Sequence, residues 1–104
     1  MRYIMKVTMG EEATDTNVRD PKFGEKMQAL LKELKAEAAY FTTTEGLRGA
    51  YIVVNMDDAS QMPALAEPVF QWLKGKVEFI PVMLPQDLAK AGPAIASAAE
   101  KWGR

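Results

Sequence analysis

The stretch Lys76 to Leu84, KVEFIPVML, sets the hardest condition on this chain. It has the length and the β-branched and aromatic content of a strand, and its alternating faces are both apolar: Val77, Phe79 and Met83 on one, Ile80, Val82 and Leu84 on the other. A strand of that kind is stable only when both of its faces are covered. Pro81 adds a second condition. A proline has no N–H to give to a ladder, so the strand belongs at a sheet edge or carries a bulge.

The remaining periodicities supply one cover only. Residues 2 to 9 alternate Tyr3, Met5, Val7 and Met9 with Arg2, Lys6 and Thr8, which predicts a strand with one apolar and one mixed face. Gly10 to Arg19 has no period and reads as a loop with room for a helical turn. Asp20 caps a helix over 21–36, with Pro21 at its first position and Phe23, Met27, Leu30, Leu31 and Leu34 on one stripe. Residues 37–44 and 47–56 form a hairpin about Glu45-Gly46. In its second strand Ala50, Ile52, Val54 and Met56 share one face and Gly49, Tyr51, Val53 and Asn55 the other. Asp57 and Asp58 precede a helix over 60–74 with Met62, Leu65, Ala66, Val69 and Leu73 at helical spacing. Pro68 leaves the carbonyl of Ala64 without its helical donor, so a kink or break is expected there. Beyond the strand over 76–84, Gly92-Pro93 divides the tail into a turn of helix from Gln86 and a helix with Ile95, Ala98, Ala99 and Trp102 on one face. That tail cannot bury itself alone.

The order strand, helix, strand, strand, helix, strand predicts an α+β domain of the ferredoxin-like βαββαβ plan, with both helices on one face of an antiparallel sheet. The 104 residues suffice for one domain, with a core over 1–85 and a helical tail over 86–104. The sheet face away from the helices then lacks a cover. A second copy packed sheet on sheet supplies it and encloses an interior for a small molecule, which makes the expected partner the chain itself, as a homodimer.

Charge and composition narrow the chemistry. Thirteen basic against fourteen acidic residues give a net charge of -1, which offers no field to a nucleic acid or an anionic membrane. The chain has no cysteine and no histidine, so thiolate nucleophiles, imidazole bases and Cys or His metal sites are excluded, and no cofactor is expected. No run reaches membrane-spanning length and no targeting signal is recognisable, so a cytoplasmic location is expected.

The polar residues available to a site are few. Tyr51 and Asn55 alternate with Ile52 and Val54, so they face away from the helices if the aliphatic pair faces toward them. Lys6 and Tyr40 lie on the more polar faces of their strands. Arg48, at a strand entrance, offers a planar fork for a carboxylate, either of a ligand or of an acidic side chain such as Glu78. Asp57 and Asp58 are adjacent carboxylates without further oxygen ligands at loop spacing, which fits helix capping and not a metal site. Glu67 and Glu78 could act as an acid and base pair only if the fold brings them together.

The stretches YFTTTEGLRGAYIVVNMDDAS and VEFIPVMLP make the chain resemble the dimeric α+β barrel superfamily, in a branch similar to muconolactone-isomerase-like and YCII-related proteins. The similarity spans Met1 to Pro85, and it is carried by Arg48-Gly49-Ala50, Asp57-Asp58 and Phe79-Ile80-Pro81-Val82; residues 10–19 and the tail have no counterpart. The resemblance implies a homodimer with facing sheets, on which relatives carry isomerase, cofactor-free oxygenase and dehalogenating activities. It also exposes a departure: several relatives use a barrel histidine, and similar sequences end the third strand with a glutamate where this chain has Asn55. Three classes of function follow. The first is a small-molecule-binding barrel, as a cofactor-independent isomerase or monooxygenase for a hydrophobic or aromatic oxygenated metabolite, with Lys6, Tyr40, Arg48, Tyr51 and Asn55 as ligand-binding residues. The others are a non-enzymatic assembly module with a filled barrel and a metabolite sensor.

Overall fold

Alternation in four segments produces four strands, which the computed structural model, describing residues 1–103, joins into one antiparallel sheet. These are β1 (Arg2–Thr8), β2 (Ala38–Thr44), β3 (Leu47–Asn55) and β4 (Lys76–Pro81), in the spatial order β2-β3-β1-β4. The architecture is α+β and consistent with the ferredoxin-like plan. β4 lies at an edge and Pro81 is its last residue, so the missing N–H interrupts no further ladder. The strand is shorter than the expected 76–84: Val82 N–H still donates to the Arg2 carbonyl of β1 at 3.3 Å, and the chain then turns into the next helix.

Register fixes which side chains share a face. Met5 stands opposite Ile52 on one side and Phe79 on the other, and Val7 opposite Ala50 and Val77. All of these point toward the helices, where Met5, Val7, Ala50, Ile52 and Val54 pack with Met27, Leu30, Leu34, Leu65, Val69 and Leu73 in one core. Each fully buried side chain of this size contributes about 1.5–3 kcal/mol relative to exposure. Tyr3 and Phe79 close the end of this layer edge to face, their ring centres 6.3 Å apart.

Three elements depart from expectation. The segment read as a loop contains a two-turn helix, α1 (Glu11–Asn17), held by Gly10 N–H donating to the Leu73 carbonyl at 2.9 Å and by Asn17 Nδ2 donating to the Trp72 carbonyl at 3.1 Å. Those partners are distant in sequence, so no local period announces the helix. The next helix, α2 (Phe23–Glu33), starts two residues after Pro21: Asp20 holds a tight turn instead, its carboxylate accepting from Lys22 N–H at 2.9 Å and its carbonyl from Phe23 N–H at 2.9 Å. The second long helix is three pieces. A 3-10 turn (Ala59–Gln61) leads into α3 (Met62–Pro68), and after Pro68 the coil widens to π geometry over Val69–Leu73, at the place where the proline removes a donor.

The hairpin turn has positive φ at both Glu45 (53°) and Gly46 (77°), the two-residue geometry whose twist matches the flanking strands. Asp58 caps the 3-10 turn, its side chain accepting from Ser60 N–H at 2.8 Å while Gln61 Oε1 accepts from Asp57 N–H at 2.7 Å. Asp58 is thus the cap expected of the pair, whereas the Asp57 carboxylate accepts from Asn55 Nδ2 at 3.4 Å and, among the described residues, caps nothing. Beyond β4, α4 (Pro85–Lys90) and α5 (Gly92–Trp102) project from the body, which draws the chain out to 58 × 27 × 22 Å. The radius of gyration is 17.5 Å, against about 13 Å for a compact chain of this length. No helix is long and apolar enough to cross a membrane among the described residues.

Candidate functional site

The sheet face away from the helices carries the candidate site, and its side chains fall in rows that cross all four strands. One row runs Tyr40, Tyr51, Lys6, Glu78, each residue the cross-strand partner of the next. It spans about 14 Å at the usual strand spacing. The adjacent row, one pleat along, is Ala38, Val53, Ile4, Ile80 and is wholly apolar. On the other side lies a row of Thr42, Gly49, Thr8 and Lys76. An amphiphilic surface results, with an apolar strip beside a line of phenols and charges.

β1 is a central strand, so Lys6 sits in mid-sheet, half-buried between Tyr51 and Glu78. Among the described residues its ammonium has no carboxylate within 4 Å and no hydrogen-bond partner, and the hydroxyls of Tyr40 and Tyr51 have none either. Three polar groups on one row are therefore available to something outside the protomer. Tyr40 is 65% exposed on the edge strand.

Two of the expected site residues stand apart. Arg48 belongs to the opposite parity of β3; its Nη1 meets Asp15 Oδ1 at 2.6 Å on α1, so it pairs with a carboxylate of the helical layer and not with Glu78. Asn55 shares the open face but sits at its end, where Oδ1 accepts from the Met1 amino group at 2.7 Å. There it borders a recess of about 590 Å³ together with Arg2, Glu37, Met83 and Asp87. Arg2 and Glu37 form an ion pair at 2.8 Å in that recess. Glu67, bonded to Gln71 at 3.1 Å on α3, is on the far side of the sheet from Glu78, so the two do not form a pair.

A polar cluster at the opposite end of the open face was not foreseen. Thr8 and Thr44 hydroxyls are 2.7 Å apart, Thr8 donates to Glu45 Oε2 at 2.9 Å, and Lys76 Nζ lies 3.6 Å from Glu45 Oε1. Thr44 Oγ1 is also 3.0 Å from the Val7 carbonyl. Two hydroxyl protons serve three contacts: the Thr8 proton goes to the Glu45 carboxylate, and the single Thr44 proton is shared between the Val7 carbonyl and Thr8 Oγ1. The Thr8 hydroxyl and then the Lys76 charge hold the Glu45 carboxyl below its usual range, with the charge of Lys6 adding to them. Gly49 makes this possible: Thr44, only 3% exposed, reaches over it to β1, and a Cβ on Gly49 would lie 2.6 Å from both Thr44 Cγ2 and the Val7 carbonyl oxygen. The run TTTEG and the RGA entrance were both visible in the sequence, but only the register Thr42 to Gly49 to Thr8 joins them.

The surface can therefore bind an anionic or carbonyl oxygen at Lys6 and the two phenols while an apolar body lies over Ile4, Val53 and Ile80. It offers no imidazole or thiol for covalent chemistry. No protein-family model matches the chain, and no curated protein is significantly similar to it.

Proposed function

We propose that this chain is a homodimeric α+β barrel, similar to muconolactone-isomerase-like and YCII-related proteins, that binds a small oxygenated metabolite with a hydrophobic or aromatic body between two facing sheets. The observation that carries the reading is Lys6, a half-buried residue in the centre of the open face whose ammonium has no carboxylate or hydrogen-bond partner among the described residues. A surface that existed only for packing would place an apolar side chain or a paired charge there, since an unpaired charge moved out of water costs several kcal/mol. The second support is the apolar row beside it, whose Ile80 is 39% exposed in the protomer.

In this reading Lys6 neutralises a carboxylate or a developing enolate oxygen and the Tyr51 and Tyr40 hydroxyls donate to the same head group. Ile4, Val53 and Ile80 receive the apolar body, and the second copy excludes water from the assembled site. An isomerase or cofactor-independent monooxygenase acting through an enolate uses this charge stabilisation; Glu78, opposite Lys6, is the carboxylate nearest by register to serve as base. The test is a thermal-shift screen of aromatic and alicyclic carboxylates and enolisable ketones, repeated with Lys6→Met. A compound that raises the melting temperature of the parent and not of the variant supports the reading. A parent that responds to none of them, or a variant that responds equally, overturns it.

A further inference from the structure

The projecting tail is a helix pair without a partner. No residue of α4 or α5 is buried, and the backbone hydrogen bonds of residues 85–103 stay within the tail and Leu84. Yet Ile95, Ala98, Ala99 and Trp102 fall on one face of α5 by helical spacing, and Ile95 and Trp102, with Leu88 of α4, are 54%, 82% and 51% exposed. An isolated helix of 11 residues is marginal in water and gains its stability from packing an apolar face.

We infer that this tail is an exchanged arm, whose apolar stripe docks on the β2 edge of a second copy of the chain. The inference rests on the facing-sheet dimer proposed above and adds the contact that completes it. Area argues for it first. Four strands of 7, 7, 9 and 6 residues present a footprint of only about 460 Å² per copy, so sheet contact alone covers roughly 900 Å² in total, below the 1,200 Å² or so at which specific interfaces begin. The two helices of each arm, 6 and 11 residues long, make about 26 Å of helix about 10 Å wide per copy, which roughly doubles that total and brings it into the standard range.

Place argues for it second. The arm leaves β4, one edge of the sheet, and runs outward from its own body. The opposite edge, β2, carries the bare aromatics: Tyr40 on the open face and Phe41, 56% exposed, on the other. Phe41 also walls an apolar cavity of about 190 Å³ with Val18, Phe23 and Met27. An arm laid on that edge covers the row of phenols at the side where the two-sheet interior would otherwise stay open, so each copy contributes to the other's site.

The absence of cysteine makes a clean test, because introduced thiols are the only ones. The full-length chain carrying Thr43→Cys on β2 and Ser97→Cys on α5 is treated with a short bis-maleimide while its mass in solution is measured by sedimentation. A covalent product of twice the chain mass, formed by the double variant and by neither single variant, is expected. A link confined to one chain would show the arm folded back on its own body and overturn the inference. A sedimenting dimer without a link would overturn it while leaving the facing sheets intact, and a monomer would remove the dimer itself. Ile95→Asp in the full chain should weaken dimerisation at least tenfold, and an unchanged dissociation constant would count against the arm.

Discussion

Replacing Gly49 by alanine tests the packing that sets one end of the site. The added methyl group would stand 2.6 Å from Thr44 Cγ2 and 2.6 Å from the carbonyl oxygen of Val7. The threonine can rotate away, but its hydroxyl is buried and touches Thr8 Oγ1 at 2.7 Å and the Val7 carbonyl at 3.0 Å. Rotation strands that hydroxyl, at about 1–3 kcal/mol. The carbonyl belongs to the central strand and can only shift with it, an overpacking cost of about 1–3 kcal/mol. Gly49→Ala should therefore destabilise by about 3 kcal/mol, a large share of a typical domain's total. Urea unfolding followed by tryptophan fluorescence at one fixed protein concentration measures it, since the proposed dimer would make stability depend on concentration. The double variant Gly49→Ala, Thr44→Ala removes the rotating partner and should recover about half of the loss, because the Val7 contact remains. A loss below about 1 kcal/mol for Gly49→Ala would refute the assigned register of β1 and β3.

Tyr51→Phe deletes a hydroxyl without a partner among the described residues, so stability should change by less than about 1 kcal/mol while affinity for a ligand found in the thermal-shift screen falls about tenfold. Equal affinity in an isothermal titration would exclude Tyr51 from the site. Thr8→Val removes the main cause of the low Glu45 pKa, so the carboxyl should titrate closer to the ordinary 4.5 in a carbon-detected NMR titration. The sign follows from linkage: a carboxyl depressed in the folded state stabilises above its unfolded pKa, and that contribution disappears as pH falls through the folded value. The parent should lose this contribution below about pH 4.5 and the variant should have less to lose; an identical titration would contradict the hydroxyl's role.

Much of this was legible because it depends on period. Strand alternation placed Lys6, Tyr40, Tyr51 and Asn55 on the face opposite Ile52 and Val54, and the structure has them there. Pro81 at a sheet edge and the interruption at Pro68 follow from one missing N–H each. What depends on long-range contact was not legible. α1 is stabilised through Leu73 and Trp72, Arg48 finds Asp15 on that same unforeseen helix, and Asp20 spends its oxygens on a turn that delays α2. The Thr8, Thr44 and Glu45 cluster needed the β2 to β3 to β1 register, which no local pattern specifies.

The central claim is that the open sheet face is the dimer face and encloses Lys6 and Tyr51. Val53 lies in the middle of its apolar row, half-buried between Ile4 and Ala38 and away from the helical core. Sedimentation equilibrium at micromolar concentration, run on the parent and on Val53→Asp side by side, tests the claim directly. The account predicts twice the 11.5 kDa chain mass for the parent and the single chain mass for the variant. A monomeric parent, or a Val53→Asp chain that remains a dimer, would contradict it.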